Sequence, residues 1–149
     1  MELQGGFLVS QIQKISRRIL DQILADNKVT QFNGAQGSIL YILWQEDMIP
    51  ISHIAAKTGL AKTSLTSMLD HMEKDGLIAR TFSPKDRRKI FISLTPKSKK
   101  LQSQYEEVSK EMNDIFYVDF SSKEILSFEK TLAKILDNLE QGEKQIKNK

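Results

Sequence analysis

The amino-acid sequence predicts a mainly helical α+β fold, in which a helix-turn-helix and a two-stranded β-hairpin lie between longer helices at both ends. Apolar residues recur at steps of three and four over most of the 149 residues, a spacing typical of helices with one buried face. The spacing changes to alternation within 77–94, which indicates strands. Because no internal repeat or low-complexity linker interrupts the chain, 1–149 are expected to form a single domain.

Two helices are predicted before Pro50. Apolar residues within 7–24 define one face of a long first helix. Asn33 and Gly34 precede a second apolar run, 39–44, which ends at polar residues before the proline. We expect this second helix to be buried.

Two short helices follow Pro50. We expect Ser52 to cap a helix over 53–58, which Gly59 ends in the left-handed conformation. A tight turn leads to a helix over 62–75, which Gly76 ends. This arrangement is the helix-turn-helix pattern. The second of these helices has four apolar residues on one face, Leu65, Met68, Leu69 and Met72.

A β-hairpin with a basic end is predicted next. Residues 77–82 and 90–94 alternate in polarity, and the turn-rich segment 83–89 separates them. Four cations concentrate positive potential around Asp86, which suits a polyanion such as nucleic acid. These cations are Lys85, Arg87, Arg88 and Lys89.

Two long helices complete the chain. Thr95 and Pro96 form a good start for the first, whose apolar residues step by four and three like a heptad seam. Ser121 and Glu124 form a capping box that begins the second helix. We expect the polar residues 141–149 to be frayed.

Composition excludes several classes of site. The net charge of +3 is weak evidence for a nucleic-acid partner, but zero cysteines exclude disulfides, thiolate zinc sites and a cysteine nucleophile. No apolar run is long enough to span a membrane, and 1–4 show no secretion signal, so we expect a cytoplasmic protein. His53 and His71 are the only histidines, so we expect no metal and no cofactor.

Two other function classes compete with nucleic-acid binding. The sequence contains no G-x-S-x-G motif and no phosphate-binding glycine loop. An enzyme would therefore need a group of catalytic carboxylates or serines that the sequence does not indicate. A purely helical interaction module would have no evident use for a basic hairpin. We therefore expect no enzymatic activity.

Three segments resemble the MarR-type winged-helix repressors: 54–60 leading into 62–66, then 69–78, then 86–88 followed by 92–95. The resemblance implies a ligand-responsive repressor of transcription, a sequence-specific regulator that binds a pseudo-palindromic operator in double-stranded DNA as a homodimer. It implies a DNA-binding module over 33–95 and helical dimerisation regions over 5–26 and 96–146. It also implies a small anionic or phenolic effector in a cleft between them.

The resemblance assigns roles to individual residues. Arg88 is expected to enter the minor groove and Asp86 to hold it through a salt bridge. Lys85, Arg87 and Lys89 suit phosphate contacts; the alternative is a turn that is basic for solubility. The polar side chains near the start of the 62–75 helix suit the major groove, with a merely solvated face as the alternative. They are Lys62, Thr63, Ser64, Thr66 and Ser67.

Departures from the family pattern occur in the same helix. Ala61 stands where the family usually has a serine-type cap, and Ser67 and His71 stand where relatives often carry arginine. Fewer permanent cations predict lower affinity and a flatter salt dependence. Four aromatic residues are candidates for lining the ligand cleft, although core positions are expected for each: Phe7, Tyr41, Trp44 and Phe82.

Overall fold

The computed structural model describes all residues, Met1–Lys149, and contains seven helices and one antiparallel sheet. This architecture confirms the mainly helical α+β class. Its contacts divide the chain into two compact units, Met1–Met112 and Asn113–Lys149, which are described separately. The elements are α1 (Gly5–Asp26), α2 (Gly34–Gln45), β1 (Ile49–Pro50), α3 (Ile51–Thr58), α4 (Lys62–Lys74), β2 (Ile78–Phe82), β3 (Ile90–Leu94), α5 (Pro96–Lys100), α6 (Gln102–Phe116) and α7 (Ser122–Lys147).

The start of α2 is fixed by two sets of hydrogen bonds. The Asn33 side chain accepts from the backbone N–H of Gln36 at 2.8 Å, and the Gln36 side chain accepts from the backbone N–H of Asn33 at 3.1 Å, which completes a capping box. Asp21 of α1 accepts from the backbone N–H of Gly34 at 3.0 Å. The first turn of α2 is therefore attached to α1.

The predicted helix-turn-helix is confirmed by α3 and α4. Gly59 and Gly76 follow them with φ values of 68° and 76°, which are left-handed conformations that favour glycine. The expected Ser52 cap is wrong: α3 begins at Ile51 with Pro50 in the cap position, so Ser52 lies within the first turn. Ala61 precedes α4 and provides no side-chain cap, as its methyl group dictates.

The sheet contains one strand more than the predicted hairpin. β2 and β3 pair from Ile78↔Leu94 to Phe82↔Ile90, as expected. The two-residue strand β1 pairs with the other side of β3, which gives the order β1-β3-β2. The Asp47 carboxylate also accepts from the backbone N–H of Leu94 at 2.9 Å. The base of the hairpin is thus held from both sides.

One apolar core supports these elements within Met1–Met112. It joins α1, α2, α3, α4, the sheet and α6, and each large side chain that it removes from water contributes about 1.5–3 kcal/mol. Met68, predicted to lie inward, is only partly buried against it. The fully buried side chains include Ile39, Leu40, Leu43, Ile54, Leu65, Leu69, Met72, Leu77 and Ile92.

The single helix predicted after Thr95 is divided in the structure. Thr95 caps α5 by accepting from the backbone N–H of Ser98 at 3.3 Å, with Pro96 at the first helical position. The chain then tightens at Leu101, whose N–H donates to the Ser98 carbonyl only three residues earlier, at 3.1 Å. α6 continues from the next residue.

The unit Asn113–Lys149 contains the end of α6 and all of α7. The predicted capping box is confirmed: Ser121 accepts from the Glu124 N–H at 3.1 Å, and Glu124 accepts from the Ser121 N–H at 3.1 Å. The expectation of a frayed tail is not met, because α7 continues through Lys147. Across the chain, no helix combines the length and apolar character needed to cross a membrane.

Candidate nucleic-acid interface

The first half of α4 presents a polar surface. The polar side chains at its start are all exposed, because Leu65 and Leu69 turn the opposite face of the helix into the core. They are Lys62, Thr63, Ser64, Thr66 and Ser67. The Thr66 hydroxyl donates to the Lys62 carbonyl at 2.8 Å. Its oxygen retains the capacity to accept, so this face offers short hydroxyls and one ammonium group.

His71 extends this polar surface by one turn. Its Nδ1 lies 2.8 Å from the Ser67 carbonyl oxygen. Since a carbonyl only accepts, Nδ1 carries the hydrogen, and in the neutral ring Nε2 is an acceptor. His71 therefore differs from an arginine in offering an acceptor on the exposed side of α4.

The hairpin end is organised by Asp86. Its carboxylate accepts from the backbone N–H of Arg88 at 3.0 Å, and its carbonyl accepts from the Lys89 N–H at 3.0 Å. The same carboxylate lies 3.5 Å from Arg88 Nε, while the Arg88 side chain is 94% exposed. Asp86 thus contacts one edge of the guanidinium and leaves the rest of it open to a ligand. The other cations, Lys85, Arg87 and Lys89, are also exposed.

Cations from the helix and from the hairpin converge on one concave surface. A cavity of about 500 Å³ is lined by Lys62 and Leu65 of α4 together with Arg88, Lys89 and Ile90 of the hairpin. The beginning of α3 provides the remaining wall. The structure therefore brings these three cations together, although Lys62 is distant from the hairpin in sequence. A concave surface of positive charge suits a polyanion.

Arg80 was missed by the sequence analysis. Its Nη1 lies 2.7 Å from Asp70 Oδ1 and 3.2 Å from Glu73 Oε1, so it joins β2 to α4. The sequence pattern that could have indicated this contact is a pair of carboxylates, Asp70 and Glu73, three residues apart on one helix face and shortly before an arginine in the next strand.

A second cavity, of about 440 Å³, lies between α1, α2, α3 and α6. Tyr41 lines it, in agreement with the candidate role, and is 47% exposed rather than part of the core. Trp44 packs against the core, with its indole N–H donating to the Ser98 carbonyl at 3.1 Å. The lining residues include Gln13, Arg17, Ser38, Gln45, Lys57 and Tyr105.

The expectation that Phe7 and Phe82 lie in the core is wrong. Their side chains are 65% and 59% exposed, and neither lines this cavity. Phe7 lies in the first turn of α1, beyond the part of that helix that enters the core, and Phe82 is the last residue of β2. Local apolar spacing does not show how far the core extends along an element.

The second cavity is lined by a partly buried cation, Arg17. Arg17 Nη1 is buried and has no hydrogen-bond partner, which is costly for a charged donor. Burial raises the pKa of the Tyr105 hydroxyl above its usual value, so this group remains a donor well into the alkaline range. A guanidinium, a phenol and Lys57, which line the same cavity, can bind a small anion.

Comparisons with known proteins agree with this geometry. The model of the MarR family matches residues 32–90. The HTH-type transcriptional repressor MdtR of Bacillus subtilis is 30% identical over 137 residues, which span 90% of this chain and 86% of MdtR.

Solved structures share the fold. A MarR transcriptional regulator from Methanosarcina mazei superposes with a TM-score of 0.80 at 19% identity, over 91% of this chain and 96% of that one. A mutant MarR from E. coli complexed with operator DNA gives a TM-score of 0.77 at 20% identity, over 91% of this chain and 99% of that one.

Proposed function

This chain belongs to the MarR family of transcriptional regulators, and from that membership we propose that it binds a pseudo-palindromic operator as a homodimer and represses transcription until a small ligand releases it. The observation that carries the proposal is the cavity lined jointly by Lys62, Arg88 and Lys89. The operator DNA bound to E. coli MarR and the repressor role named for MdtR support it.

In this proposal α4 enters the major groove. The groove admits a helix, and short hydroxyls allow its backbone to approach base edges and phosphates. The face formed by Lys62, Thr63, Ser64, Thr66 and Ser67 meets both requirements because it is exposed and free of large side chains other than the lysine.

The hairpin contacts the minor groove beside it. A guanidinium suits the strongly negative minor groove of A·T-rich DNA, and Asp86 orients Arg88 for that contact. Lys85, Arg87 and Lys89 contact phosphates, which position the protein without reading sequence.

Two copies of the chain act together. Apolar side chains are exposed on α1 and on α7, as expected for helices that pair with those of a second copy. A two-fold dimer places its recognition helices about one DNA turn, roughly 34 Å, apart, which matches a pseudo-palindromic site.

The ligand occupies the cavity that contains Arg17. A small anionic or phenolic molecule there lies beside the Arg17 guanidinium and Lys57, whose positive charges favour an anion. It releases DNA if it binds more tightly to a conformation in which the two recognition helices no longer match the operator spacing.

The test of DNA binding is Arg88→Ala on an operator selected from the organism's own genomic fragments. We expect binding to weaken by about 1–3 kcal/mol with an unchanged circular dichroism spectrum. Lys100→Ala, which removes an exposed cation from α5, is the matched control and should bind normally. An Arg88→Ala protein with unaltered affinity would remove the hairpin from the interface.

The test of ligand control is a panel of aromatic carboxylates and phenols in the same binding assay. At least one carboxylate should release the operator from the native protein and fail to release it from Arg17→Gln. If every member leaves operator affinity unchanged, or if Arg17→Gln responds normally, this cavity is not the effector site.

A further inference from the structure

Arg80 forms a partly buried ionic contact that the proposed function does not use. Its guanidinium Nη1 lies 2.7 Å from Asp70 Oδ1 and 3.2 Å from Glu73 Oε1, and its backbone N–H donates to Glu73 Oε2 at 3.3 Å. The Arg80 side chain is only 18% exposed, whereas Arg88 is 94% exposed. Arg80 is therefore a cation near the interface whose charge is already engaged by the protein.

The contact joins the two elements that carry the interface. Asp70 and Glu73 lie one turn apart on α4, just beyond Ser67, and Arg80 is the central residue of β2. Across the sheet Arg80 pairs with the fully buried Ile92 of β3. Its strand position is thus fixed by the core on one side and by α4 on the other.

Beyond Arg80 the hairpin is supported through β3 rather than through β2, because Pro50 of β1 pairs with Phe91 and Ile90 packs against the core. Asp47 and β1 hold the base of the hairpin through β3. In the other direction Thr81 and Phe82 are exposed, and the hydrogen bonds of 83–89 are internal to that loop. On the β2 side, only Thr81 and Phe82 separate the contact of Arg80 with α4 from the loop that carries Arg88, so the angle of β2 at Arg80 affects the position of Arg88.

We propose that Arg80, held by Asp70 and Glu73, is a positioning residue that sets the angle between α4 and the hairpin, so that Arg88 reaches the minor groove when α4 occupies the major groove. The same contact offsets one of the two negative charges that Asp70 and Glu73 place on the DNA-facing helix, where carboxylates repel phosphates. Arg80 itself does not contact DNA. This inference rests on the proposed function for its effect on binding, but the geometry can be measured without DNA.

The DNA-free experiment uses the absence of cysteine from the chain. Lys74→Cys on α4 and Lys85→Cys on the hairpin end each accept one spin label, and the labelled protein is mixed with excess unlabelled protein so that distances arise within one chain. We expect a narrow distance distribution, a broad or shifted one in Arg80→Ala, and partial recovery in Arg80→Lys. The matched control, Arg87→Ala, should keep the narrow distribution. A distribution unchanged by Arg80→Ala would overturn the proposal.

The binding experiment is a double-mutant cycle between Arg80 and Arg88. In the native background Arg88→Ala should weaken operator binding by about 5- to 150-fold. In the Arg80→Ala background the same change should cost several-fold less, because a misplaced hairpin has already lost its contact. All four proteins are compared at a temperature where each is fully folded. If Arg88→Ala reduces operator affinity by the same factor in both backgrounds, Arg80 contributes only to stability and the proposal is overturned.

A second variant tests whether Arg80 is itself a DNA contact. Asp70→Asn with Glu73→Gln keeps the side-chain shapes but removes both charges that hold Arg80. If Arg80 positions the hairpin, Arg88→Ala should reduce operator affinity in this variant by the same small factor as in the Arg80→Ala background. The contrary outcome is tighter operator binding together with a steeper dependence of log affinity on log salt concentration, by about one unit of slope. That result would mean that the released Arg80 binds a phosphate, and it would overturn the positioning role. If Arg88→Ala has no effect in the native background, the proposed function fails, while the label distances still decide the positioning role.

Discussion

Gly59 links the conformation of a single residue to the stability of the helix-turn-helix. With φ at 68° it lies in the left-handed region, and no atom lies within 4 Å of where a β-carbon would be placed. The cost of Gly59→Ala is therefore conformational, and we expect the free energy of unfolding to fall by about 1 kcal/mol. Urea denaturation measures this change.

Gly142 provides the opposite case within α7. It is helical, and an added methyl group meets nothing within 4 Å. Gly142→Ala should raise the free energy of unfolding by up to about 1 kcal/mol, because alanine is the better helix former. Changes of the same sign for Gly59→Ala and Gly142→Ala would contradict the conformational explanation.

At the residue scale the sequence reveals contacts between near neighbours better than contacts between elements. Asp86 and Arg88 are two residues apart, and their predicted ion pair is present. Arg80 depends on partners in another element, and Arg17 was not singled out because nothing in its sequence surroundings shows that Nη1 is buried without a partner. Whether the predicted DNA contacts form remains a proposal.

The start of α4 offers a prediction at the scale of an element. Ala61 has the extended backbone of a cap residue but no side-chain acceptor. Ala61→Ser should therefore raise the free energy of unfolding by about 0.5–2 kcal/mol. Ser121→Ala, which removes an existing cap from α7, should lower it by a similar amount. Thermal denaturation of both variants provides the comparison, and a destabilised Ala61→Ser protein would contradict it.

The predicted elements are those defined by their own sequence. Capping residues, glycines and apolar spacing locate six helices and the hairpin. The strand β1 has only two residues and exists because Ile49 and Pro50 pair with β3, so no local pattern identifies it. Ser52 was misassigned because a serine near a helix start has the same chemistry whether it precedes the first turn or lies inside it.

Exposed apolar side chains are the main feature of the molecule as a whole. On α1 they include Phe7, Leu8 and Ile12, and on α7 they include Leu126, Leu136 and Leu139. Surfaces of this kind are typical of chains that pair with a second copy. The sequence shows the apolar stripes but does not show whether they are covered, because the core within one chain and an interface between two chains use the same residues.

The proposed homodimer is tested by Leu136→Lys combined with Leu139→Lys. Two charges in an apolar interface should give a monomer or aggregates in sedimentation, together with loss of operator binding. Asn138→Lys combined with Gln141→Lys adds the same charge at polar positions of α7 and should remain a binding-competent dimer. A dimer of native affinity in the leucine variant would place the interface elsewhere.

Trp44 provides the molecule with a built-in optical reporter. It is the only tryptophan, and its ring centre lies 5.1 Å from that of Tyr105, which lines the cavity containing Arg17. A ligand that displaces Tyr105 alters the surroundings of the indole. The intrinsic fluorescence of the unlabelled protein can therefore follow occupancy of that cavity directly, separately from the loss of DNA.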